Sequence, residues 1–352
     1  MAGNKVTMQQ IADHLGLSKF AVSKALSGKP GVSLETREKI VHTATQLGYF
    51  AGKPPKAAAK KNDADPSGVS SPETVIVLVP NVRYQTRDSL YWGRIIDGIT
   101  AELEARGIGM VIVTDQFKDS FSNLINPSGV RGIIGVGLIS SQLLLEIRSL
   151  GIPFVLVDHE DPLIPSDTLF MNNTECMRRV TNYLLGCGHR KLQFVGNIRY
   201  SRSFADRYQG YRSMLKEQGI AAVQEEELLA FEGDNRSEMT EALERIMKRM
   251  KELPTAFVCA NDSIAICVMT VLGRMGIAVP ERCSVTGFDN IEDAALSSPT
   301  LSTVHVHKEA LGRRSVETLL RRVAQPDSPQ EKIMLAGDFV LRESTAYAKA
   351  AD

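Results

Sequence analysis

The chain has 352 residues, 43% hydrophobic and 23% charged, with 41 basic and 41 acidic side chains. That length exceeds one ordinary compact core, so two or more domains are expected, in a composition typical of soluble globular proteins. No apolar run reaches membrane-spanning length, and the polar start MAGNKVTMQQ lacks a signal core; the expectation is a cytoplasmic protein with no membrane partner.

The zero net charge hides an asymmetry. Residues 1–61 hold ten basic and three acidic residues, which leaves 31 basic and 38 acidic residues for the rest. A basic head on an acidic body fits a DNA-binding module joined to a part that does not touch DNA. The cysteines, Cys176, Cys187, Cys259, Cys267 and Cys283, contain no CxxC pair and fall in apolar or helical surroundings, as reduced core thiols do. His189 and the His305/His307 pair lack ligand spacing to any cysteine pair, so neither a metal nor a cofactor is expected.

Thr7 to Gly28, TMQQIADHLGLSKFAVSKALSG, reads as two short helices with a tight turn. Thr7 and Gln10 have capping-box spacing. Met8, Ile11, Ala12 and Leu15 form one apolar stripe, Gly16 fits a left-handed C-terminus, and Ser18 fits an N-cap. In the second helix Val22, Ala25 and Leu26 turn inward. Lys19, Phe20, Ser23, Lys24 and Ser27 turn outward. Two lysines, two small hydroxyls and an exposed aromatic suit the DNA major groove: lysines meet phosphates or guanine, serines meet phosphate oxygens, and an aromatic edge meets a thymine methyl. The competing reading is a small helical pair whose lysines are merely solvated. Capping, turn and polar face together favour a helix-turn-helix.

Ser33 then caps a third helix, with Glu35 and Glu38 near its positive end, a stripe of Ile40, Val41, Ala44 and Leu47, and Gly48 as its stop. Residues 1–52 are thus a candidate three-helix DNA-binding headpiece. Residues 53–72, KPPKAAAKKNDADPSGVSSP, read as a linker; Lys53, Lys56, Lys60 and Lys61 either add phosphate contacts or solvate a flexible tether.

From residue 73 to 352 the pattern is α/β. Strands are expected at 75–79, 110–113, 132–137 and 154–157, with helices at 90–106 and 141–150. The pattern then restarts: helix 174–187, strand 192–196, helix 204–218, a strand near Leu228–Phe231, helix 237–251, strand 256–260, helix 262–275 and strand 284–288. Apolar strands alternating with helices imply parallel sheets covered on both faces, and two such sets imply two similar lobes. Such lobes bind ligands where strand ends meet helix N-termini. Asp158, Asn261 with Asp262, and Asp289 with Asn290 all follow strands, and each carboxylate or amide can pair adjacent hydroxyls of a sugar-like ligand. For Asp262 helix capping is the preferred reading; for Asp158, Asn261 and Asp289 it is ligand contact.

Several motifs together resemble the lactose/galactose-repressor family of bacterial transcription regulators: VTMQQIADHLGLSKFAVSKALSG, VSLETREKI with LGY after it, GHRKLQFVGN, DRYQGYRSML, ANDSIAI and SVTGFDNIEDAALSSPTLSTV. The resemblance covers almost the whole chain. It implies a homodimer whose headpieces read a pseudo-palindromic double-stranded operator. It also implies a two-lobed parallel-sheet core, related to periplasmic sugar-binding proteins, that closes on a small effector. By motif position it places Lys19, Phe20 and Lys24 toward bases, and Thr7, Ser18, Ser23 and Thr36 at phosphates. It places Arg207, Asn261, Asp289 and Asp158 at the effector, with Tyr91 and Trp92 as an aromatic pair beside it; core packing is the alternative for that pair. Unlike the family pattern, the stretch KPPKAAAKK carries no hinge leucine to wedge into the minor groove, and the segment 115–130 is short for the helix usual between the second and third strands.

The function expected is a DNA-binding transcriptional regulator, a repressor of carbohydrate-utilisation genes, controlled by a sugar or sugar derivative. Alternatives are response to a protein corepressor or a sugar phosphate, the latter giving Arg199 and Arg202 more weight, and a sugar-binding protein without gene control. An enzyme is not expected, since no nucleophile–base motif and no P-loop is present.

Overall fold

The computed structural model describes residues 6–26, 32–33, 36, 39–40, 43–44, 47, 74–79, 91–114, 121, 125–233 and 235–349. They fall into two units, 1–73 with 119–129 and 74–118 with 130–352. The linker 53–72, with its absent hinge leucine, lies outside the described residues, as do Ser27, Val41 and Gly48.

In the first unit, α1 (Met8–Leu15) begins with the expected capping box: the Thr7 hydroxyl accepts from the Gln10 amide at 3.3 Å and the Thr7 amide donates to Gln10 Oε1 at 2.8 Å. Gly16 ends the helix at φ 64°, where a side chain would be strained. Ser18 Oγ accepts from the Ala21 amide at 3.1 Å to start α2 (Lys19–Leu26). Ser33 Oγ likewise accepts from the Thr36 amide at 3.2 Å. Ile11, Ala12, Val22, Ala25, Ile40 and Ala44 form a closed small core.

The second unit has two lobes. The first is built on a six-stranded parallel sheet, β2-β1-β3-β4-β5-β10: β1 Thr74–Leu78, β2 Gly109–Val113, β3 Val130–Val136, β4 Phe154–Val157, β5 Asp167–Met171 and β10 Lys332–Leu335. The expected four strands are present. β5 and β10 are additions: β10 returns from the far end of the chain, and β5 is buried at all five positions. Helices α3 (Trp92–Ala105) and α4 (Ser141–Ser149) belong to this lobe. Helix α10 (Lys308–Ala324) crosses α3 where Gly98 and Gly312 meet; a Cβ at either would lie 2.2 Å from a backbone oxygen of the other helix.

The second lobe carries the parallel sheet β6-β7-β8 (Leu192–Val195, Ala256–Cys259, Ser284–Thr286). Around it lie α5 (Asn173–Gly186), α6 (Arg202–Glu217), α7 (Arg236–Arg249), α8 (Asp262–Arg274) and the short α9 (Glu292–Leu296). The strand expected near Leu228–Phe231 is instead a 3-10 turn, Glu226–Leu229. A side chain takes the strand's place: the Phe194 amide donates to Gln224 Oε1 and Gln224 Nε2 donates to the Phe194 carbonyl, both at 3.0 Å.

The chain crosses between lobes three times: from β5 into α5, from β9 (Thr303–His305) into α10, and from β10 into β11 (Asp338–Val340), which pairs antiparallel with β9. No helix among the described residues is long and apolar enough to cross a membrane. The architecture is the expected two-lobed parallel-sheet core like a periplasmic binding protein, with a helix-turn-helix in the first unit.

Candidate functional site

Among the described residues only Asp158, Asp289 and Asn290 hold positive φ without being glycine, at 56°, 105° and 49°. Left-handed backbone of this kind costs free energy and persists where packing over-determines it, which functional sites do. All three follow strands, Asp158 after β4 in the first lobe and the other two after β8 in the second.

Arg207, on α6 and 3% exposed, is the centre of the site. Nε donates to Asn173 Oδ1 at 2.8 Å, Nη1 to the Ala260 carbonyl at 2.7 Å, and Nη2 to Asp289 Oδ1 at 3.2 Å. Its guanidinium lies 3.8 Å from the centroid of the Phe288 ring, a cation–π contact. The chain of bonds continues outward. Asn173 Nδ2 donates to Ser203 Oγ at 3.1 Å, and the Ser203 hydroxyl donates to Asp158 across the lobes. Lys308, on α10 and 5% exposed, sends Nζ to the Asp289 carbonyl at 2.5 Å.

Burial raises the carboxyl pKa values of Asp158 and Asp289. It pushes Asp158 up to about 6, against the Ser203 hydrogen bond and the Arg207 charge. It also raises Asp289, opposed by Arg207 and Lys308. Burial and the charges of Asp158 and Asp289 hold the Tyr91 phenol well above its usual range, so Tyr91 belongs to the same neighbourhood. Trp92 packs edge-on against Tyr91, ring centroids 4.8 Å apart, and leans on the first-lobe core. Arg207, Asp289, Asp158 and Tyr91 are thus brought together.

The helix cap expected of Asp262 is made by Asn261 instead. Asn261 is the N-cap of α8, its side chain accepting from the Ile264 amide at 3.0 Å. Asp262 is the first helical residue, and its carboxylate leaves the helix to accept from the Ile291 amide at 2.8 Å and the Thr303 hydroxyl at 2.5 Å. The tight turn at Gly287 lets it approach: a Cβ there would lie 2.2 Å from Asp262 Oδ1. Asp262 therefore fastens the loop that carries Asp289. Asp262→Ala is expected to cost about 2 kcal/mol in urea denaturation, since a backbone amide and a hydroxyl lose their buried acceptor.

Asn173, Ser203, Phe288 and Lys308 were not singled out from the sequence. The signal for Asn173 was hidden with β5, whose exit carries Asn172 and Asn173 as other strand exits carry Asp158 and Asp289. Lys308 had a signal too, a lysine at the buried start of an apolar-striped helix.

In the other unit, Lys19 and Phe20 are exposed on α2, Phe20 at 70%, and Ser23 and Lys24 are half-buried. Lys24 Nζ sits 5.0 Å from the Phe20 ring centroid, so the aromatic and the charge form one protruding group. The hydroxyls of Thr7, Ser18 and Thr36 each engage a helix start, Thr36 through Ser33 at 2.7 Å. Lys24→Ala is expected to weaken binding to a duplex selected from a random pool about 10-fold. It should also flatten the slope of log affinity against log salt by about 1; anisotropy titrations across salt concentrations measure both.

The comparisons with known proteins agree with this fold. The profile described as "Periplasmic binding protein-like domain" matches residues 181–345. The HTH-type transcriptional repressor PurR of Vibrio atlanticus (strain LGP32) is 26% identical over 344 residues, 96% of this chain and 98% of the relative. The probable HTH-type transcriptional repressor ExuR of Bacillus subtilis (strain 168) is also 26% identical, over 341 residues, with coverage of 96% and 98%. Among solved structures, a transcriptional regulator CelR–cellobiose complex superposes with a TM-score of 0.68 at 22% identity, covering 97% of this chain and 100% of that one. Similar to bacterial HTH-type transcriptional repressors over 96% of its length, and alike in fold to the solved regulator, the chain resembles the lactose/galactose-repressor family of bacterial transcription regulators.

Proposed function

We propose that this protein is a cytoplasmic, dimeric repressor of carbohydrate-utilisation genes that binds a pseudo-palindromic operator through its headpieces and is controlled by a neutral sugar held between the lobes of its core. It is a regulator and not an enzyme. The observation that carries the effector reading is the meeting of Arg207, Asp289 and Asp158 at strand ends of both lobes. A guanidinium has five N–H donors, and three are spent on protein oxygens, which leaves two for ligand hydroxyls. Asp158 and Asp289 supply acceptors, as adjacent sugar hydroxyls require. Tyr91 and Trp92 offer rings for a pyranose face.

Charge favours an uncharged ligand over a sugar phosphate or acid. Asp289 already neutralises Arg207, and Asp158 adds a second carboxylate. Arg202, the candidate anion partner, is held by Glu160 and Asp206 and lies 4.7 Å over the Phe170 ring. The relative in fold bound to cellobiose carries a neutral disaccharide.

A thermal-shift screen of the full chain tests this. Neutral sugars (cellobiose, ribose, galactose) are compared with glucuronate, galacturonate and glucose 6-phosphate. A bound ligand at 100 times its Kd adds about 2.7 kcal/mol. A shift with a neutral sugar supports the reading; shifts confined to the acids or phosphate contradict it.

A further inference from the structure

The left-handed pair Asp289–Asn290 is held by groups from two of the three crossovers. From the β9 crossover, Val304 accepts the Asp289 amide at 2.9 Å, and the Lys308 ammonium holds the carbonyls of Asp289 and Asn290. The Asn290 side chain then bridges to both crossovers. Its Nδ2 lies 3.0 Å from His305 Nδ1, and its Oδ1 lies 2.8 Å from Nη2 of Arg342, just beyond β11.

The chemistry of these three groups leaves one arrangement. A guanidinium only donates, so the atom of Asn290 facing Arg342 is the oxygen. The atom facing His305 is therefore the amide nitrogen, which donates. His305 Nδ1 must accept, so the imidazole is neutral with its proton on Nε2. Protonation would set two donors against each other at 3.0 Å.

We propose that His305, as its neutral Nε2–H tautomer, is a positioning residue that ties the Asn290 side chain of the Asp289 loop to the crossover strands, and that protonating it releases that tie. The groups facing His305 are Lys308, His307 and Glu309 from its own crossover, Asp338 from β11, the Asp289–Asn290 loop, and Arg342 through Asn290. Partial burial, then the charges of Lys308 and His307, lower its pKa against the pull of Asp338 and Glu309. The release thus falls on the acid side of an ordinary imidazole. β9, which bears His305, runs into the crossover to α10, so the same bond ties the Asp289 loop to that crossover. Its consequence for regulation rests on reading Asp289 as an effector contact; the test does not.

The test is long-range 1H–15N spectroscopy of the histidine rings in the labelled full chain, with His305 assigned by His305→Gln. The expected result is the Nε2–H tautomer at pH 7.5, with the Asn290 side-chain amide and the Asp289 backbone amide shifting in the step that protonates His305. In His305→Gln, whose carbonyl accepts at any pH, that step should vanish from Asn290 and Asp289. Arg342→Met should free Asn290 to turn and mix the His305 tautomers. An Nδ1–H tautomer in the unaltered chain, or Asn290 and Asp289 resonances that ignore the titration of His305, would overturn the proposal. The spectra need no sugar, so failure of the screen above leaves this test intact.

Discussion

Arg207→Met is expected to destabilise the protein by about 3–5 kcal/mol and to abolish sugar binding. Removing one partner of a buried ion pair leaves the other charge without compensation. Arg207 is 3% exposed and Asp289 7%, so water cannot replace the lost guanidinium at Asp289. The Ala260 carbonyl and Asn173 Oδ1 lose donors as well. Methionine keeps an apolar stem but none of these bonds and not the guanidinium over the Phe288 ring. Urea denaturation of the full chain, followed through Trp92, the single tryptophan, measures the loss. Arg207→Lys keeps the charge and should recover part of the stability without the three-way geometry. A cost below about 1 kcal/mol for Arg207→Met would contradict this site as the centre of the core.

Asp158→Asn is expected to move stability and binding in opposite directions. The native Asp158 carboxyl is pushed up to about 6 from an ordinary 3.8. Below pH 3.8 it is protonated in both states and costs nothing. As pH rises from 3.8 towards 6, the unfolded chain ionises first and the native state loses relative stability. Above pH 6 the penalty is constant. Asparagine removes it while keeping an oxygen for the Ser203 hydroxyl. Because Asp158 retains some solvent contact, the gain at pH 7.5 is about 1–2 kcal/mol rather than the full shift, and it should disappear below pH 4. Sugar affinity should fall more than 10-fold, about 1.4 kcal/mol. Thermal denaturation at pH 4 and 7.5 and calorimetry with the sugar from the screen separate the effects. A less stable variant, or one that binds sugar normally, would contradict the assignment.

Most of the architecture could be read from the sequence because its elements are marked locally. Thr7, Gln10, Gly16 and Ser18 are signals within one helical turn, and the structure uses each of them as a cap or stop. Apolar runs such as FVLV and AFVCA form buried strands. The misreadings occurred where a distant partner decides the outcome. DTLFM becomes a strand because β10, from near the end of the chain, completes its edge. The segment at Leu228 does not become one because Gln224 satisfies the edge of β6 with its side chain. At the site, the strand-exit rule found Asp158 and Asp289, since their placement depends on neighbouring sequence. It gave the cap of α8 to Asp262 rather than Asn261, because the Asp262 carboxylate is taken by the Ile291 amide of the Asp289 loop. Lys308 escaped because its carbonyl partners lie in another lobe.

A sugar bound in the core is expected to alter the grip of the headpiece on DNA. An effector changes that grip only through its different affinities for the two core states. The direct measurement is the affinity of the full chain for its selected duplex, by anisotropy at fixed salt, with and without a saturating concentration of the neutral sugar found in the screen. A change of about 5–150-fold is expected, with the Arg207→Lys chain unresponsive at the same sugar concentration. Equal affinities with and without sugar, while calorimetry shows the core filled, would contradict it.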